Sequence, residues 1–502
     1  MKIVNVKILK KKIKFFKKKK IGLCHGVFDI LHYGHIKHFE EAKTYCDILV
    51  VSLTTDKYVG KGNGRPYFSE EIRANTLASL SVIDYVVISK YPTAVEIINN
   101  IKPNYYFKDK EYKNFKDDIT GNINKEVKIL KKHKGKIIFT KQKNFSSSNI
   151  INNFSNYFNE KQRIFINNLK KKYSYNDLKN LIDNFYKLKV LVIGEIIIDE
   201  YTYVDTIGKS GKEPHLVMSI DNFKKYLGGA GAITNHINSF VKQLNFLSIT
   251  SSNSIEKKFI NNNLNKSINK KFMEIKNYSI IKNRYIDKIN NVKLFGVYSI
   301  KNSEINIVKE KEIISKLKKL INHTDLILVA DYDHGLITND ILKILSDSKK
   351  FLVINSQLNS TNIGYHTLQK YKSSDVIVIN ESELRHELRS RTENLKNLIL
   401  KYSKKTNIRF IIITQGSVGS TLYDNKNKKF TDCPAFANKV VDKIGAGDTF
   451  LSILSLALAS RINPELSLFF STIAASINLS FPGNEINVKK NELLKIINHI
   501  FK

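Results

Sequence analysis

Two short apolar runs, each closing on turn and polar residues, constrain this 502-residue chain more than any other feature. The first is Ile21-Gly-Leu-Cys-His-Gly-Val-Phe-Asp29; the second is Lys189-Val-Leu-Val-Ile-Gly-Glu-Ile-Ile-Ile-Asp199. Runs of this kind suit buried parallel strands. After each, helical patterns alternate with further apolar runs, among them Asp47–Ser52, Tyr85–Ser89, Leu326–Ala330, Val376–Ile379 and Phe410–Thr414. That alternation predicts an α/β chain with two separate α/β units. Residues 151–186 read as a helical connector, because Pro and Gly are too scarce there for a loose linker. The expected divisions are therefore 1–150, 151–186 and 187–502. The Lys/Asn-rich stretch 251–272 reads as a surface excursion.

Composition narrows the function classes. The formal net charge is +36, but only nine residues are Arg and Lys is spread along the whole chain. A nucleic-acid binder would concentrate its cations on a patch with interleaved aromatics. The charge is thus read as a solvated surface that also draws in anionic substrates, with no specific nucleic acid as partner. The ten Lys among residues 1–20 precede no apolar core of signal-peptide length, and read as a solvated lead-in to the first strand. No run is long and apolar enough to span a membrane. Cys24, Cys46 and Cys433 are widely spaced, which excludes a CxxC pair and fits a reducing, cytoplasmic setting.

The turn Gly26-Val-Phe28-Asp29-Ile-Leu-His32-Tyr-Gly34-His35 carries the first chemistry. It passes from a strand to a helical pattern, so backbone N–H groups and the positive end of the helix dipole face a phosphate. Two His three residues apart reach one anion from the first helical turn, and Gly34 permits close approach of backbone and ligand. Nucleotidyl transfer needs this much: a phosphate oxygen attacks the α-phosphorus of a nucleoside triphosphate, pyrophosphate leaves, and His32 and His35 stabilise the charge. A third metal ligand at suitable spacing is missing from the sequence, which argues against zinc.

These residues resemble the cytidylyltransferase-like superfamily, over roughly residues 20–155. The resemblance is to its heptose 1-phosphate adenylyltransferase and glycerol-phosphate cytidylyltransferase branch, and implies a Rossmann-like domain. It implies nucleotide contacts from Gly26, Phe28, Asp29 and Gly34, and phosphate contacts from Lys61 and Arg73. Ser146, Ser147 and Ser148 resemble the family's hydroxyl-rich turn at a late helix start. The Arg that precedes this turn in the glycerol-phosphate branch is missing here, which favours a sugar 1-phosphate acceptor. ATP and CTP both remain open as the nucleotide.

A second turn, Asp442-Lys-Ile-Gly445-Ala446-Gly447-Asp448, opens a helical run of small and apolar residues. Small residues there form an anion-binding nest, and a carboxylate at its tip suits a general base for a hydroxyl attacking a γ-phosphate. A glycine-rich helix start with an incidental Asp would look alike. Accompanying segments resemble the ribokinase (phosphofructokinase-B) family over roughly 187–500. The resemblance implies a ribokinase-like α/β domain with a small β lid. It gives Asp448 the role of base, with Gly445, Ala446 and Gly447 as the anion hole. Asn380-Glu-Ser-Glu383 is similar to the element that organises Mg²⁺ through water, with Glu383 nearest the metal. Thr414 and Gly416 stand where that family binds ATP. Asp199, Gly228, Gly229, Asn235 and Asp331 match the sugar side. The chain departs from the family at Ala232, where an Asn is usual, at Lys443, where Thr is usual, and in the segment Asn355–Ser360.

Both activities occur fused in enzymes that make nucleotide-activated heptose for surface polysaccharide, there with the kinase in front. The expectation is a bifunctional enzyme using ATP, Mg²⁺ and a sugar or sugar phosphate, and a homo-oligomer is compatible with it. Three alternatives stay open at this point. The kinase-like half could sense a sugar without turnover, as the three departures suggest. The front half could be a glycerol-phosphate-type cytidylyltransferase. Binding of RNA through the Lys-rich surface rests on charge alone.

Overall fold

The computed structural model describes residues 2–16, 18–60, 62, 64–110, 122–140, 158–276, 278–301, 305–359, 362–363 and 367–501. The chain separates into two compact units, Met1–Lys170 with Asn491–Lys502, and Lys171–Lys490. The final residues therefore group with the front half, although the expected rear division ran to residue 502.

The first unit is built on strands β1 (Ile21–Gly26), β2 (Ile48–Thr54), β3 (Tyr85–Ser89), β4 (Tyr105–Asp109) and β5 (Lys136–Thr140). Their order is β3-β2-β1-β4-β5 and every pair is parallel. Every residue of β2 is buried, as the near-continuous apolar run of an inner parallel strand requires. The winding reverses between β1 and β4, which opens a crevice at the carboxyl ends of those strands. This is the Rossmann-like arrangement that the motif implied.

The Lys-rich start is not a bare lead-in. Residues Val6–Phe15 form a helix, capped by the Asn5 side chain accepting from the Ile8 N–H at 2.8 Å. Leu9 is fully buried, and Val6, Ile13 and Phe16 pack on the same core as Ile97 and Ile98. The apolar residues recur at helical spacing among the lysines, whose stems lie over the surface while their charges stay in water.

The second unit contains two sheets. The larger uses β6 (Lys189–Gly194), β9 (Gln243–Ser251), β10 (Asn269–Ile275), β13 (Leu326–Asp331), β14 (Phe351–Ser356), β15 (Val376–Asn380), β16 (Phe410–Thr414), β17 (Gly419–Asp424) and β18 (Lys429–Pro434). Its order is β10-β9-β6-β13-β14-β15-β16-β17-β18, parallel as far as β16 and antiparallel thereafter. The smaller sheet is the lid, in the order β12-β11-β7-β8, from β7 (Ile196–Lys209), β8 (Leu216–Gly229), β11 (Ser279–Asp287) and β12 (Lys293–Lys301).

The stretch 251–272 is a correction. It holds a helix, Ser254–Asn263, and the start of β10, which forms the edge of the large sheet. Ile260, Leu264 and Ile268 are buried, so three apolar side chains among many Lys and Asn suffice to dock it. In the region read as a connector, the helices Glu160–Lys172 and Tyr175–Asp183 follow the predicted pattern, the second opened by a Ser174–Asp177 capping box. Among the described residues no helix is long and apolar enough to cross a membrane.

Candidate active sites

In the first unit, β1 delivers the turn to the crevice at the carboxyl edge of the sheet. Phe28 adopts a left-handed backbone, φ 48°, and its ring lies where a Cβ on Gly26 would come within 3.0 Å. Gly26 therefore leaves room for the Phe28 ring, which a Cβ would crowd. The Phe28 ring meets His35 edge-on, with centroids 5.3 Å apart. His32 caps the helix Tyr33–Thr44 with an extended backbone, and its carbonyl accepts from the N–H groups of His35 (2.9 Å) and Ile36 (3.2 Å). The His32 and His35 rings stack, centroids 3.8 Å apart and planes inclined by 23°. Two imidazoles and the first-turn amides, Gly34 included, thus converge on one spot. Such an arrangement can hold a phosphate and stabilise charge developing on it.

Two predicted contacts are placed differently. Asp29 is buried, accepting from Arg65 Nε (2.8 Å), Tyr67 N (2.6 Å) and Phe68 N (3.3 Å). Its carboxylate fastens segment 65–68. Arg73 is also buried, and donates to the carbonyls of Phe68 (2.9 Å), Val27 and Thr54 (3.1 Å) and to the Asp56 carboxylate. A guanidinium engaged this fully braces the turn carrying Phe28 instead of reaching a phosphate. Lys61, Ser146, Ser147 and Ser148 lie outside the described residues. Sequence reasoning passed over His38, the third His at a spacing of three, whose Nδ1 pairs with Thr140 Oγ1 at 2.8 Å. Burial, then the charge of Lys108, pulls its pKa down to about 4. The same two causes bring His25 to about 4. Lys108, near the end of β4, therefore projects positive potential towards this edge of the sheet.

In the second unit, Gly445 caps the helix Ala446–Ala459 with φ 85° and no side-chain cap. A Cβ there would overlap the Asn484 carboxamide, whereas one on Gly447 would meet open space. The nest is thus walled on one side and open on the other. Asp448 stands in the first turn and accepts from the Tyr332 phenol at 3.0 Å. Burial pushes its pKa up to about 7; Tyr332 opposes this, Asp199 adds to it, and Lys282 and Asn484 oppose it. A carboxyl poised near neutrality is matched to taking a proton from a hydroxyl.

The lid supplies neighbours. Asp199 on β7 pairs with Arg284 on β11 at 2.5 Å, and a Cβ on Gly228 would strike the Asp199 carboxylate. Gly229, at φ 58°, turns the chain from β8 into the helix Ala230–Asn238. Thr414 ends β16 and Gly416 follows at φ 57° with open space around it. Asn380 and Glu383 form a capping box.

Three more expectations meet different surroundings. Asn235 donates to the Asn263 carbonyl (2.8 Å) and accepts from Asn265 N (3.1 Å), so it fastens the 263–265 turn. Asp331 is buried, ion-paired with Lys370 at 2.5 Å, and accepts from the Tyr371 phenol and from Asp333 N (2.8 Å). It shapes the loop after β13 from within. The Glu383 carboxylate accepts from Asn380 N (2.7 Å) and Leu358 N (3.1 Å), and no group of three metal-ligating side chains occurs among the described residues. The expected link from this carboxylate to Mg²⁺ runs through water and asks for no direct bond to the metal. Glu195, Tyr332, Lys282, Arg284 and Asn484 were not singled out from the sequence. Glu195 lay inside the second quoted run, where a Glu directly after the buried residues Val190–Gly194 was the available signal.

The family model described as pfkB family carbohydrate kinase matches residues 187–491, and the one described as Cytidylyltransferase-like matches residues 23–154. The Bifunctional protein HldE of Aliarcobacter butzleri (strain RM4018) is 43% identical over 120 residues, 24% of this chain and 25% of that protein. The Bifunctional protein HldE of Campylobacter fetus subsp. fetus (strain 82-40) is 25% identical over 306 residues, 59% of this chain and 64% of that protein. The chain thus spans less than two thirds of the length of either relative. A crystal structure assigned as a ribokinase from Agrobacterium tumefaciens covers 62% of this chain and 97% of its own, with TM-score 0.50 and 15% identity, a likeness of fold alone. Matched over residues 187–491, the chain belongs to the pfkB family of carbohydrate kinases and carries a cytidylyltransferase-like region in its front half.

Proposed function

We propose that the chain is a bifunctional enzyme, a sugar kinase and a sugar-phosphate nucleotidyltransferase, that makes a nucleotide-activated sugar of the ADP-heptose type. The observation that carries this reading is Asp448, held near neutrality by burial at the mouth of the nest and hydrogen-bonded to Tyr332. In the kinase, the Asp448 carboxylate takes the proton of a sugar hydroxyl as its oxygen attacks the γ-phosphorus of ATP. The amides of Gly445, Ala446 and Gly447 stabilise the transferred phosphoryl group, and ADP leaves. Asp199 and the backbone at Gly228 and Gly229 orient the sugar, while Thr414 and Gly416 border the nucleotide. Magnesium would arrive on the ATP phosphates with its own waters, neutralising their charge, since Glu383 is committed to backbone N–H groups.

In the transferase, an oxygen of the sugar phosphate attacks the α-phosphorus and pyrophosphate departs. His32, His35 and the first-turn amides stabilise the charge on the transferred group. The likeness to proteins named bifunctional supports joining the two steps; ATP is the nucleotide of this reading, and CTP is the alternative that the assay separates from it.

The test is purified protein given ATP or CTP with a panel of sugars and sugar phosphates, following ADP and pyrophosphate release separately. Asp448→Asn should abolish ADP release and spare pyrophosphate release; His35→Ala should do the reverse. Phosphorylation that survives Asp448→Asn would refute the kinase assignment. A second reading, sugar sensing without turnover, is favoured by Asn235, which is spent on the 263–265 turn. Calorimetric sugar binding with no ATP consumption would select it.

A further inference from the structure

Glu195 follows directly on β6 and is fully buried, with no cation paired to it among the described residues. Its two carboxylate oxygens accept from the backbone N–H of Tyr332 at 3.0 Å and of Leu336 at 3.2 Å. Burial, then the nearby Asp331 carboxylate, raises its pKa to about 8. A carboxyl buried beside another is costly unless it is hydrogen-bonded, and here both oxygens are taken by backbone N–H groups. The peptide it grips belongs to the loop after β13. The other side of the same residue is also fixed, since the Tyr332 carbonyl accepts from Asn359 Nδ2 at 3.2 Å and Asn362 Nδ2 at 3.5 Å. Tyr332 as a whole is 2% exposed, and its phenol reaches Asp448. Residues 195, 332 and 448 thus form one relay from three distant parts of the chain.

We infer that Glu195, acting through Tyr332, is a positioning residue for Asp448. The inference rests on the kinase reading given above. Glu195 and the two asparagines hold the Tyr332 backbone by its N–H and C=O. The phenol, left with one direction to point, donates to Asp448 Oδ1, orients the carboxylate and favours its ionised form. The groups facing Asp448 are Tyr332 from this loop, Asp199 from β7, Lys282 from β11 and Asn484 from the turn after the helix Pro464–Asn478. Tyr332→Phe deletes one of these interactions without altering charge. Asn359 also gives a use to the segment Asn355–Ser360, which departs from the family pattern.

The test has two readouts. The first is titration of the Asp448 carboxyl by carbon NMR in the free protein, identified by its loss in Asp448→Asn. In Tyr332→Phe the midpoint should move to higher pH, because a hydrogen bond that favours the anion is gone. The second is the pH profile of ADP release. The acid limb should move the same way, with kcat reduced on the order of 10-fold at low pH and KM for ATP unchanged. Glu195→Gln, which keeps the shape but can accept only through its carbonyl oxygen, should move both readouts in the same direction, and add little to Tyr332→Phe in the double variant. An unmoved Asp448 titration in Tyr332→Phe overturns the inference whether or not the protein phosphorylates sugars. A wild type without ADP release, but with the expected NMR shift, sinks the kinase reading and keeps the relay.

Discussion

His236 and Thr449 share a hydrogen bond of 3.1 Å, and the backbone N–H of Val488 settles which way it runs. That N–H donates to Nδ1 at 3.1 Å, so the neutral ring carries its proton on Nε2 and donates to Thr449 Oγ1. The Thr449 hydroxyl in turn donates to the Gly445 carbonyl at 3.0 Å. A buried imidazole therefore supports the residue that caps the nest, through the position after Asp448. The chain of donors works only while the ring is neutral.

Stability should consequently fall in mild acid. Burial lowers the His236 pKa from 6.5 to about 4, against a smaller opposing effect of Asn484. The folded-state pKa is depressed, so this contribution is fully present above about pH 6.5 and is lost as pH falls towards 4. The full shift corresponds to on the order of 3 kcal/mol. Thermal unfolding from pH 7 to pH 4 should show a shallower slope in His236→Gln than in wild type. Parallel curves would show that His236 does not titrate on unfolding.

The capping position should tolerate no side chain. Gly445→Ala places a Cβ onto the Asn484 carboxamide and demands φ 85° of an L-residue, which alone costs about 1–2 kcal/mol. Relief requires the nest to open. ADP release should drop roughly 100-fold, with pyrophosphate release in the same preparation as the internal control. Gly447→Ala meets open space, so it would fit the protein and obstruct only a ligand lying against the nest. A variant at 447 with wild-type kinetics would place the phosphoryl group elsewhere.

The two helix-opening turns were legible because their signals are local: a strand end, a few small residues and a His or Asp lie close together in sequence. The two-unit α/β organisation was legible for the same reason. What the sequence concealed is long-range. Asp29 and Arg73 looked like ligands, yet segment 65–68 folds back and consumes the Asp29 carboxylate, while Arg73 is drawn to the carbonyls of Val27 and Thr54. Asn235 is consumed by a turn 30 residues on. Glu195 and Tyr332 meet only because β6 and β13 are neighbours, although the two residues are 137 apart in sequence. The helix Val6–Phe15 and the edge strand β10 hid in Lys- and Asn-rich composition, where a few apolar residues at the right period carry the docking.

Arg73 distinguishes bracing from binding. Arg73→Ala would strand three carbonyl acceptors and the Asp56 carboxylate, and should destabilise the first unit by about 3 kcal/mol. In the fraction that remains folded, KM for the nucleoside triphosphate should stay as in wild type. Denaturant unfolding and initial-rate kinetics on one sample decide it. Undiminished stability with a markedly higher KM would restore Arg73 to the phosphates.

Gly228 tests the acceptor side. On the register of β7 with β8 it lies opposite Ile197, and its missing Cβ leaves the space that the Asp199 carboxylate fills. Gly228→Ala must displace that carboxylate and stretch its 2.5 Å pair with Arg284, while β16 and the nest lie on other elements and keep their geometry. If Asp199 orients the sugar, KM for the sugar should rise about tenfold, the loss of one charge-assisted hydrogen bond, with KM for ATP unchanged. Asp199→Asn should reproduce the effect, and the double variant should be little worse than either, because both changes remove one contact. Additive losses would mean that Gly228 serves the sugar through its own backbone, independently of the carboxylate beside it.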